Sequence, residues 1–280
     1  MTAVFDTPST WRDQRRAQLR AGLTLGFVPT MGALHEGHRS LVRQSKAEND
    51  RTLVSIFVNP IQFDREDDLR MYPRTMDTDT ATCGSLGVDV VFAPTVEEMY
   101  PVPLACAIDV GKVADHLCGP FRPGHFTGVA TVVMKLFQIV QADRAYFGEK
   151  DAQQLAVIRR LVADFNVPVE IVGVPTVREH DGLALSSRNR RLAPGDRTRA
   201  IALYRALEAA KAQISAGATD SGAIKRNAVA TIPQGDGLRV EYLEIVDPVD
   251  MQPVERVSGP VVIAGALWVG GVRLIDNIHA

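Results

Sequence analysis

The feature that most constrains the fold is an alternation of short apolar runs with longer helical segments in the first part of the chain. The apolar runs are bounded by turn residues and are typical of buried strands. They are Leu23–Pro29, Leu53–Val58, Val88–Ala93, Arg144–Phe147 and Val169–Val174. The helical segments between and after them are Gly37–Asn49, Thr127–Val140 and Asp151–Asp164. This alternation predicts an α/β fold, a Rossmann-like doubly wound parallel sheet that binds ligands at the carboxyl ends of its strands.

The pattern changes after Val174. Asp196–Gly217 is predicted as one long helix that ends at a glycine, and Gly222–Thr231 as a second helix. Three strand-like runs follow, and they are Val240–Val246, Val261–Val269 and Val272–Ile275. Helices followed by a run of strands predict a smaller α+β domain. We therefore expect two domains, residues 1–173 and residues 174–280.

The charge balance and the cysteine count exclude several classes of protein. The chain has 31 Lys and Arg against 33 Asp and Glu, a net charge of -2, so it lacks the general attraction of basic proteins to nucleic acid. Three cysteines with no CxxC pair indicate neither a disulfide framework nor a zinc knuckle. No signal peptide is recognisable, and no apolar run approaches the ~20 residues of a membrane span. We expect a soluble cytoplasmic protein with no membrane or nucleic-acid partner.

The turn after the first strand carries the densest group of candidate site residues, from Pro29 to His38. A strand that runs through a glycine turn into a helix directs backbone N–H groups and the helix dipole toward an anion. His35 and His38 are three residues apart at the helix start, so both rings can face the same side. An imidazolium there stabilises developing negative charge, which indicates a phosphate site. A surface corner with two exposed histidines is the alternative.

Two later strand ends also carry polar residues. Asn59 and Gln62 follow the second strand, and their amides bind hydroxyls and carboxylates without adding charge. Lys150 suits a phosphate and Asp151 a ribose hydroxyl, with Gln154 one helical turn further on. A loop packed on the core and a solvated helix start are the ordinary explanations. Their position at strand ends of one sheet favours substrate binding instead.

Two loops complete the set of candidates. Leu185-Ser186-Ser187-Arg188 offers two hydroxyls and a guanidinium to phosphate oxygens, although an ST-turn with a surface arginine is the commoner fate of such a tetrapeptide. The glycines and prolines of Gly119–Gly128 predict a shaped loop over the site. Arg122 and His125 in that loop are candidate substrate contacts.

Together these motifs resemble a known family. His35-Glu36-Gly37-His38 resembles the HxGH motif of the nucleotidylyltransferase superfamily, whose members attack the α-phosphate of ATP and release pyrophosphate. The longer string from Pro29 to His38 is similar to that of the pantothenate synthetase (pantoate–β-alanine ligase) family. Leu185–Arg188 resembles that family's form of the KMSKS-like loop, and the resemblance extends to the closing segment Arg273–Asn277.

The resemblance implies ATP-dependent ligation of pantoate and β-alanine to pantothenate, a step of coenzyme A biosynthesis, through a pantoyl adenylate with release of AMP and pyrophosphate. The implied catalytic residues are His35, His38, Lys150 and Arg188. The implied ATP-binding residues are Met31, Gly32, Ala33, Leu34, His35, Glu36, Gly37, His38, Gly148, Glu149, Lys150, Asp151, Val177, Leu185, Ser186, Ser187 and Arg188. The implied pantoate and β-alanine residues are Met31, Asn59, Gln62 and Gln154. Mg²⁺ is expected to accompany ATP, with Asp79 as a candidate ligand, and the chain is expected to form a homodimer.

Other functions stay open at this point. A nucleotidylyltransferase that acts on a phosphorylated substrate would need Lys or Arg after the second strand, where this chain has Asn59 and Gln62. A non-catalytic nucleic-acid-binding module, related to the tRNA synthetases that also carry HxGH, would need a basic stripe with interleaved aromatic residues. The net charge of -2 counts against it. A binding-only relative is disfavoured because no motif position is lost.

Overall fold

The computed structural model describes residues 2–233, 235 and 237–280. Its contacts divide the chain into two compact units. Unit 1 comprises Met1–Val110, Arg122–Glu149 and Val157–Pro175. Unit 2 comprises Gly111–Phe121, Lys150–Ala156 and Thr176–Ala280. The expected domains, 1–173 and 174–280, stay a prediction.

Unit 1 is built on a parallel sheet, which has six strands among the described residues. The strands are β1 (Ala3–Phe5), β2 (Leu25–Thr30), β3 (Arg51–Ile56), β4 (Val90–Phe92), β5 (Arg144–Gly148) and β6 (Glu170–Val174). Their order across the sheet is β1-β4-β3-β2-β5-β6, and every neighbouring pair is parallel. The strands β2 to β5 have buried apolar centres because helices cover a parallel sheet on its faces. The predicted fold class is confirmed.

Seven helices of the described residues lie wholly or partly in unit 1. They are α1 (Pro8–Arg20), α2 (Glu36–Glu48), α3 (Glu66–Arg70), α4 (Met76–Ser85), α5 (Val96–Met99), α6 (His125–Val140) and α7 (Ala152–Asp164). In α2 the buried residues Leu41, Val42 and Ser45 lie on one face, as the helical spacing requires. In the described part of the chain, no helix is both long enough and apolar enough to cross a membrane.

Unit 2 contains an antiparallel sheet and three helices in its described residues. The strands β7 (Leu238–Val246), β8 (Val262–Val269) and β9 (Val272–His279) pair in that order. The helices are α8 (Pro194–Arg199), α9 (Ala202–Ser215) and α10 (Ser221–Ala230). Leu203, Leu207, Ile224, Ile245 and Ile263 are fully buried in its core, so the helices cover one face of the small sheet.

Two details of the second unit differ from the sequence prediction. The single helix expected over Asp196–Gly217 is wrong, because α8 and α9 are separate helices. Ala200 and Ile201, between them, have ψ angles of -24° and -16°, which are typical of a 3₁₀ turn and interrupt the α-helical hydrogen bonds. The last strand also continues past Ile275 to His279, where it pairs with Val262.

Candidate active site

The carboxyl ends of β2 and β5 mark the point where the strand order reverses. The two strands are hydrogen-bonded neighbours, with Phe27 opposite Ala145, while β3 lies on the other side of β2. β2 leads directly into residues 31–38, and β5 ends at Gly148 and continues into Glu149. Such a reversal opens a crevice at the carboxyl ends of the strands, where α/β proteins bind their ligands. The first predicted site residue of unit 1, Met31, follows the end of β2 at this crevice.

The two histidines cap the first turn of α2. The Nδ1 atom of His35 accepts a hydrogen bond from the backbone N–H of Gly37 at 3.1 Å, and Nδ1 of His38 accepts one from the N–H of His35 at 3.3 Å. The rings lie 4.1 Å apart between centroids. Because both Nδ1 atoms act as acceptors, each ring carries its proton on Nε2. The capping box therefore fixes the tautomer of two neighbouring donors at the end of β2.

A buried carboxylate holds the turn between β2 and α2. Asp79 Oδ2 accepts from the N–H of Ala33 at 2.9 Å and from Thr75 Oγ1 at 2.9 Å, while its Oδ1 accepts from the N–H of Leu34 at 2.8 Å. Gly32 has a φ of +80°, and a Cβ there would lie 2.9 Å from Asp79 Oδ2. Ala33 also has a positive φ of 51°. The turn thus depends on glycine at position 32 and on the carboxylate beneath it.

Asp79, the candidate magnesium ligand, is committed to this turn. It is 2% exposed, and its two oxygens already accept three hydrogen bonds. Across the described residues, no group of three or more His, Cys, Asp and Glu side chains is placed to hold a metal ion. The assignment of Asp79 to a metal stays a prediction.

The predicted pantoate residues of unit 1 form one hydrogen-bonded network. Asn59 Nδ2 donates to Gln62 Oε1 at 3.0 Å and to the carbonyl of Gly128 at 3.2 Å, and Gln62 Nε2 donates to Met31 Sδ at 3.1 Å. Tyr100 donates its hydroxyl to Asn59 Oδ1 at 2.8 Å. Burial raises the pKa of Tyr100 to about 12, so the phenol keeps the proton that it donates. The structure therefore brings Met31, Asn59 and Gln62 together and fixes their amide orientations.

The loop Gly119–Gly128 supports this network through its two candidate substrate contacts, Arg122 and His125. His125 Nδ1 donates to the carbonyl of Gln62 at 2.8 Å, and its Nε2 accepts from Arg122 at 3.0 Å. Arg122 also forms an ion pair with Asp64 at 3.0 Å. These contacts fix the 3₁₀ turn Pro60–Gln62. The geometry thus gives Arg122 and His125 a role in shaping the loop that holds Gln62.

In unit 2, Lys150 and the Ser-Ser-Arg loop line one cleft. Its polar and charged lining residues are Lys150, Ser186, Arg188, Asn189, Arg273 and Asp276, and Tyr204 also lines it. The Lys150 ammonium lies 4.0 Å from the Asp151 carboxylate. A lysine, an arginine and a hydroxyl around one cleft suit the oxygens of a phosphate group. The structure therefore brings together three of the residues predicted to bind ATP.

The Ser-Ser-Arg loop is the end of a hairpin. Arg178 pairs with Ala184 as an antiparallel bridge, and the N–H of Leu185 donates to the carbonyl of Val177 at 3.0 Å. Ser186 then caps the 3₁₀ helix Ser187–Arg191 by accepting from the N–H of Arg188 at 3.3 Å. The ordinary ST-turn is therefore present, and the same turn places Ser186 and Arg188 in the lining of the cleft.

The remaining predicted residues have less distinctive surroundings. Glu36 is exposed on the first turn of α2, and its hydrogen bond with Arg43 holds the pKa of the carboxyl below its usual value. Gly37 lies between the histidines, and Glu149 belongs to a 3₁₀ turn that continues to Asp151. Gln154 is half-buried in α7.

Sequence reasoning assigned no supporting role to three residues that hold the site in place. Tyr100 orients Asn59, and it lies in no motif. Gln153 is buried in unit 2, where its amide donates to the carbonyls of Val113 and His116 at 2.9 and 2.7 Å. Gln153 and Arg178 lie beside the motif residues Gln154 and Val177, but the sequence assigns no role to either. Their roles depend on contacts that are distant in sequence, since Asp276 lies 98 positions after Arg178.

The reversal in strand order and the histidine-capped helix define the class of protein, a Rossmann-like α/β protein of the kind that binds ligands at its strand ends. Within this class, the family model "Pantoate-beta-alanine ligase" matches residues 3–279. The chain therefore belongs to the pantoate–β-alanine ligase family, which confirms the predicted family and enzyme class.

Individual relatives agree with this assignment over the whole length. The chain is 48% identical to the pantothenate synthetase of Moorella thermoacetica over 275 residues, 98% of this chain and 97% of that protein. It is 52% identical to that of Caldicellulosiruptor saccharolyticus, with 92% of each covered. The crystal structure of the pantothenate synthetase from Thermus thermophilus superimposes with a TM-score of 0.90 at 45% identity, covering 99% of both chains.

Proposed function

We propose that this chain joins pantoate and β-alanine into pantothenate with ATP, through a pantoyl adenylate. The observation that carries the proposal is the pair of Nε2 donors of His35 and His38 at the carboxyl end of β2. A relative supports the choice of substrates. The pantoate-beta-alanine ligase of Francisella tularensis, 35% identical with a TM-score of 0.80 over 99% of this chain and 97% of that chain, was crystallised in complex with beta-gamma ATP and beta-alanine.

In the first step a carboxylate oxygen of pantoate bonds to the α-phosphorus of ATP. The bond from that phosphorus to the oxygen bridging the β-phosphate breaks, and pyrophosphate leaves with the electron pair. Negative charge grows on the phosphate oxygens, and fixed donors aimed at those oxygens lower the barrier. We assign this role to Nε2–H of His38, with His35 beside it, and to the cations of Lys150 and Arg188.

In the second step the β-alanine amine attacks the acyl carbon of the adenylate. The bond from that carbon to the AMP oxygen breaks, AMP leaves as an anion, and the nitrogen loses a proton to solvent. A free carboxylate does not react in this way because oxide is a very poor leaving group, whereas AMP is a good one. The protein's contribution is to position the reactants and to stabilise charge.

The ATP-binding assignments extend to backbone and side-chain groups of both units. In unit 1 we assign to ATP the turn and helix start Met31–His38 together with Gly148 and Glu149. In unit 2 we assign Lys150, Asp151, Val177 and Leu185–Arg188. Gln62, Asn59, Met31 and Gln154 are assigned to pantoate and β-alanine. Mg²⁺ enters as a complex with ATP, held by phosphate oxygens and water.

Isotope transfer tests the adenylate directly. When pantoate labelled with ¹⁸O in its carboxylate reacts with ATP and β-alanine, mass spectrometry should find pantothenate and AMP in equal amounts. One labelled oxygen should appear in AMP, because the attacking carboxylate oxygen stays on the phosphorus when AMP leaves. Formation of ADP, or AMP without label, would contradict the mechanism. A reaction without β-alanine serves as the control and should give no pantothenate.

Replacing Gln62 by alanine should weaken pantoate binding and leave ATP binding nearly unchanged. A hydrogen bond to a charged group contributes ~1.5–3 kcal/mol, so we expect the pantoate Kd to rise at least about tenfold. Titration calorimetry measures both ligands separately. Gln138→Ala, the same substitution at an exposed position of α6, is the matched control. An equal loss of ATP affinity in Gln62→Ala would contradict the assignment.

The family resemblance also predicts a homodimer in the cytoplasm, and we retain both as proposals. Light scattering on the purified chain measures the first, with an expected mass of twice that of one chain. A mass equal to that of a single chain over the working concentration range would contradict the dimer.

A further inference from the structure

The closing segment of the chain, Arg273–Asn277, belongs to the motifs of the sequence but has no part in the proposed reaction. It lies in β9, and its residues 273–276 line the cleft of unit 2 themselves. Two of its residues also contact the other segments that line this cleft. Asp276 contacts the hairpin that ends in Ser186–Arg188, and Asn277 contacts the backbone of Lys150. The two ATP-binding segments of this unit therefore share one support.

The contact with the hairpin is a bidentate ion pair. Arg178 Nη1 donates to Asp276 Oδ2 at 2.7 Å, and Nη2 donates to Oδ1 at 3.0 Å. Asp276 is 5% exposed, so the pair is shielded from water on the carboxylate side. Two parallel charge-assisted bonds fix the direction of the guanidinium as well as its distance.

The remaining donors of the same guanidinium hold the hairpin itself. Nη1 of Arg178 also donates to the carbonyl of Gly182 at 3.0 Å, across the tip of the hairpin, and Nη2 donates to the carbonyl of Asn277 at 3.0 Å. The guanidinium lies 4.4 Å from the centre of the Tyr204 ring, a cation–π contact with α9. One side chain thus joins the hairpin to β9 and to a helix.

The neighbouring residue extends this support to the other ATP-binding segment. Asn277 Nδ2 donates to the carbonyl of Lys150 at 2.8 Å, and its own N–H donates to Asp276 Oδ1 at 2.8 Å. Consecutive residues of one strand therefore hold the Lys150 backbone and the Ser186–Arg188 hairpin. Their relative position is set by β9, which is a rigid element of the unit 2 sheet.

Energetics favour a positional role for the ion pair over a stabilising one. Burial raises the pKa of Asp276, although the guanidinium of Arg178 acts in the opposite direction. A buried pair adds little net stability, because desolvation of both charges offsets their attraction. An apolar pair of similar volume would stabilise the fold as well, but it would not fix the direction of the hairpin.

We propose that Arg178 and Asp276 are positioning residues that hold the Ser186–Arg188 hairpin in its ATP-binding conformation before ATP binds. Asn277 fixes the backbone of Lys150 relative to this hairpin. The proposal rests on the proposed function. Without the pair the competent hairpin is only partly populated, and the apparent affinity for ATP falls by that fraction. At saturating ATP the competent form is selected, so the reaction rate is preserved.

Steady-state kinetics of two variants test this. In Asp276→Asn and in Arg178→Lys, which keeps the positive charge, the KM for ATP should rise about tenfold, as expected when the competent fraction falls to about a tenth. The kcat should stay within about twofold of the wild type. Glu244→Gln is the matched control, because it breaks the Lys225–Glu244 ion pair elsewhere in unit 2 and should change neither constant. Circular dichroism establishes that each variant is folded.

A folded Arg178→Lys variant with the wild-type KM for ATP would overturn the proposal, as would a fall in kcat as large as the rise in KM. The double variant Arg178→Lys/Asp276→Asn should raise the KM no more than the larger single effect, because both residues act through one contact. Additive effects would overturn it too. The wild-type reaction distinguishes the two hypotheses, since only failure of the proposed function abolishes pantothenate formation by the unaltered chain.

Discussion

Substitution of His38 by alanine is expected to lower pantoate-dependent exchange of pyrophosphate into ATP about 1,000-fold. Removal of one fixed donor to a developing negative charge typically costs ~10²–10³ in rate. His38 is such a donor, because its Nδ1 accepts from the N–H of His35 and its proton lies on Nε2. Exchange of labelled pyrophosphate measures the adenylation step alone, so β-alanine chemistry does not enter the result.

A second variant separates this chemistry from the capping role of the same ring. His38 occupies the third helical position of the capping box, and glutamine there can also accept from the N–H of His35. His38→Gln should therefore unfold like the wild type, whereas His38→Ala should lose about 1 kcal/mol of stability with the cap. Both should lose exchange to the same extent. Near-normal exchange in His38→Gln would remove the imidazole from the mechanism.

The parallel sheet and the positions of its ligand-binding ends could be predicted from the sequence because both follow from local patterns. The apolar run Leu53–Val58 and the strand β3, Arg51–Ile56, differ only at their ends. The histidine pair could be placed at a strand end because a glycine turn and a helix follow the first strand directly. These features depend on residues within about ten positions of one another, where periodicity and turn chemistry act.

The first helix could not be predicted in this way. α1 begins at a Thr7 cap followed by Pro8, but its buried face includes Arg15, which a sequence pattern assigns to solvent. The Arg15 guanidinium is buried because it donates to the carbonyl of Gln141 at 2.9 Å and to Asp143 at 3.0 Å. A polar residue becomes a core residue when its partners are more than a hundred positions away, and no local pattern records them.

The same physical reason explains the hidden supports of the candidate site. Asp79 lies in α4, a helix with little amphipathic pattern, and its partners Ala33 and Leu34 lie about 45 positions earlier. Arg178 and Asp276 are 98 positions apart. Local motifs predict the candidate ligand-binding residues, because short turns in the sequence bring those residues together. The residues that hold the motifs in place are brought to them by the tertiary fold, so only the structure reveals them.

Asp79→Asn is the variant that should affect unit 1 most. The amide places an NH₂ group next to a backbone N–H of Ala33 or Leu34, so one buried donor loses its acceptor and the others lose a charged one. An unpaired buried donor costs ~1–3 kcal/mol, and hydrogen bonds to charged groups contribute about 1.5–3 kcal/mol each. We expect the free energy of unfolding of unit 1 to fall by about 3 kcal/mol. Exchange activity should fall as well, since the turn positions His35.

Urea unfolding followed by tryptophan fluorescence measures this effect in unit 1 alone. The chain has two tryptophans, and in a Trp268→Phe background the buried Trp11 of α1 is the reporter. Asp77→Asn is the matched control, because it removes a carboxylate from the same first turn of α4 at an exposed position and should change stability by less than about 0.5 kcal/mol.

The same variant decides between the two roles of Asp79. If the carboxylate holds the turn, the loss of stability is present without nucleotide or magnesium, and added Mg²⁺ does not restore exchange. If the carboxylate binds the metal, unfolding in metal-free buffer matches the wild type, and a higher Mg²⁺ concentration recovers the rate. The three hydrogen bonds to its oxygens lead us to expect the first result, because replacing either oxygen leaves a buried donor without its partner.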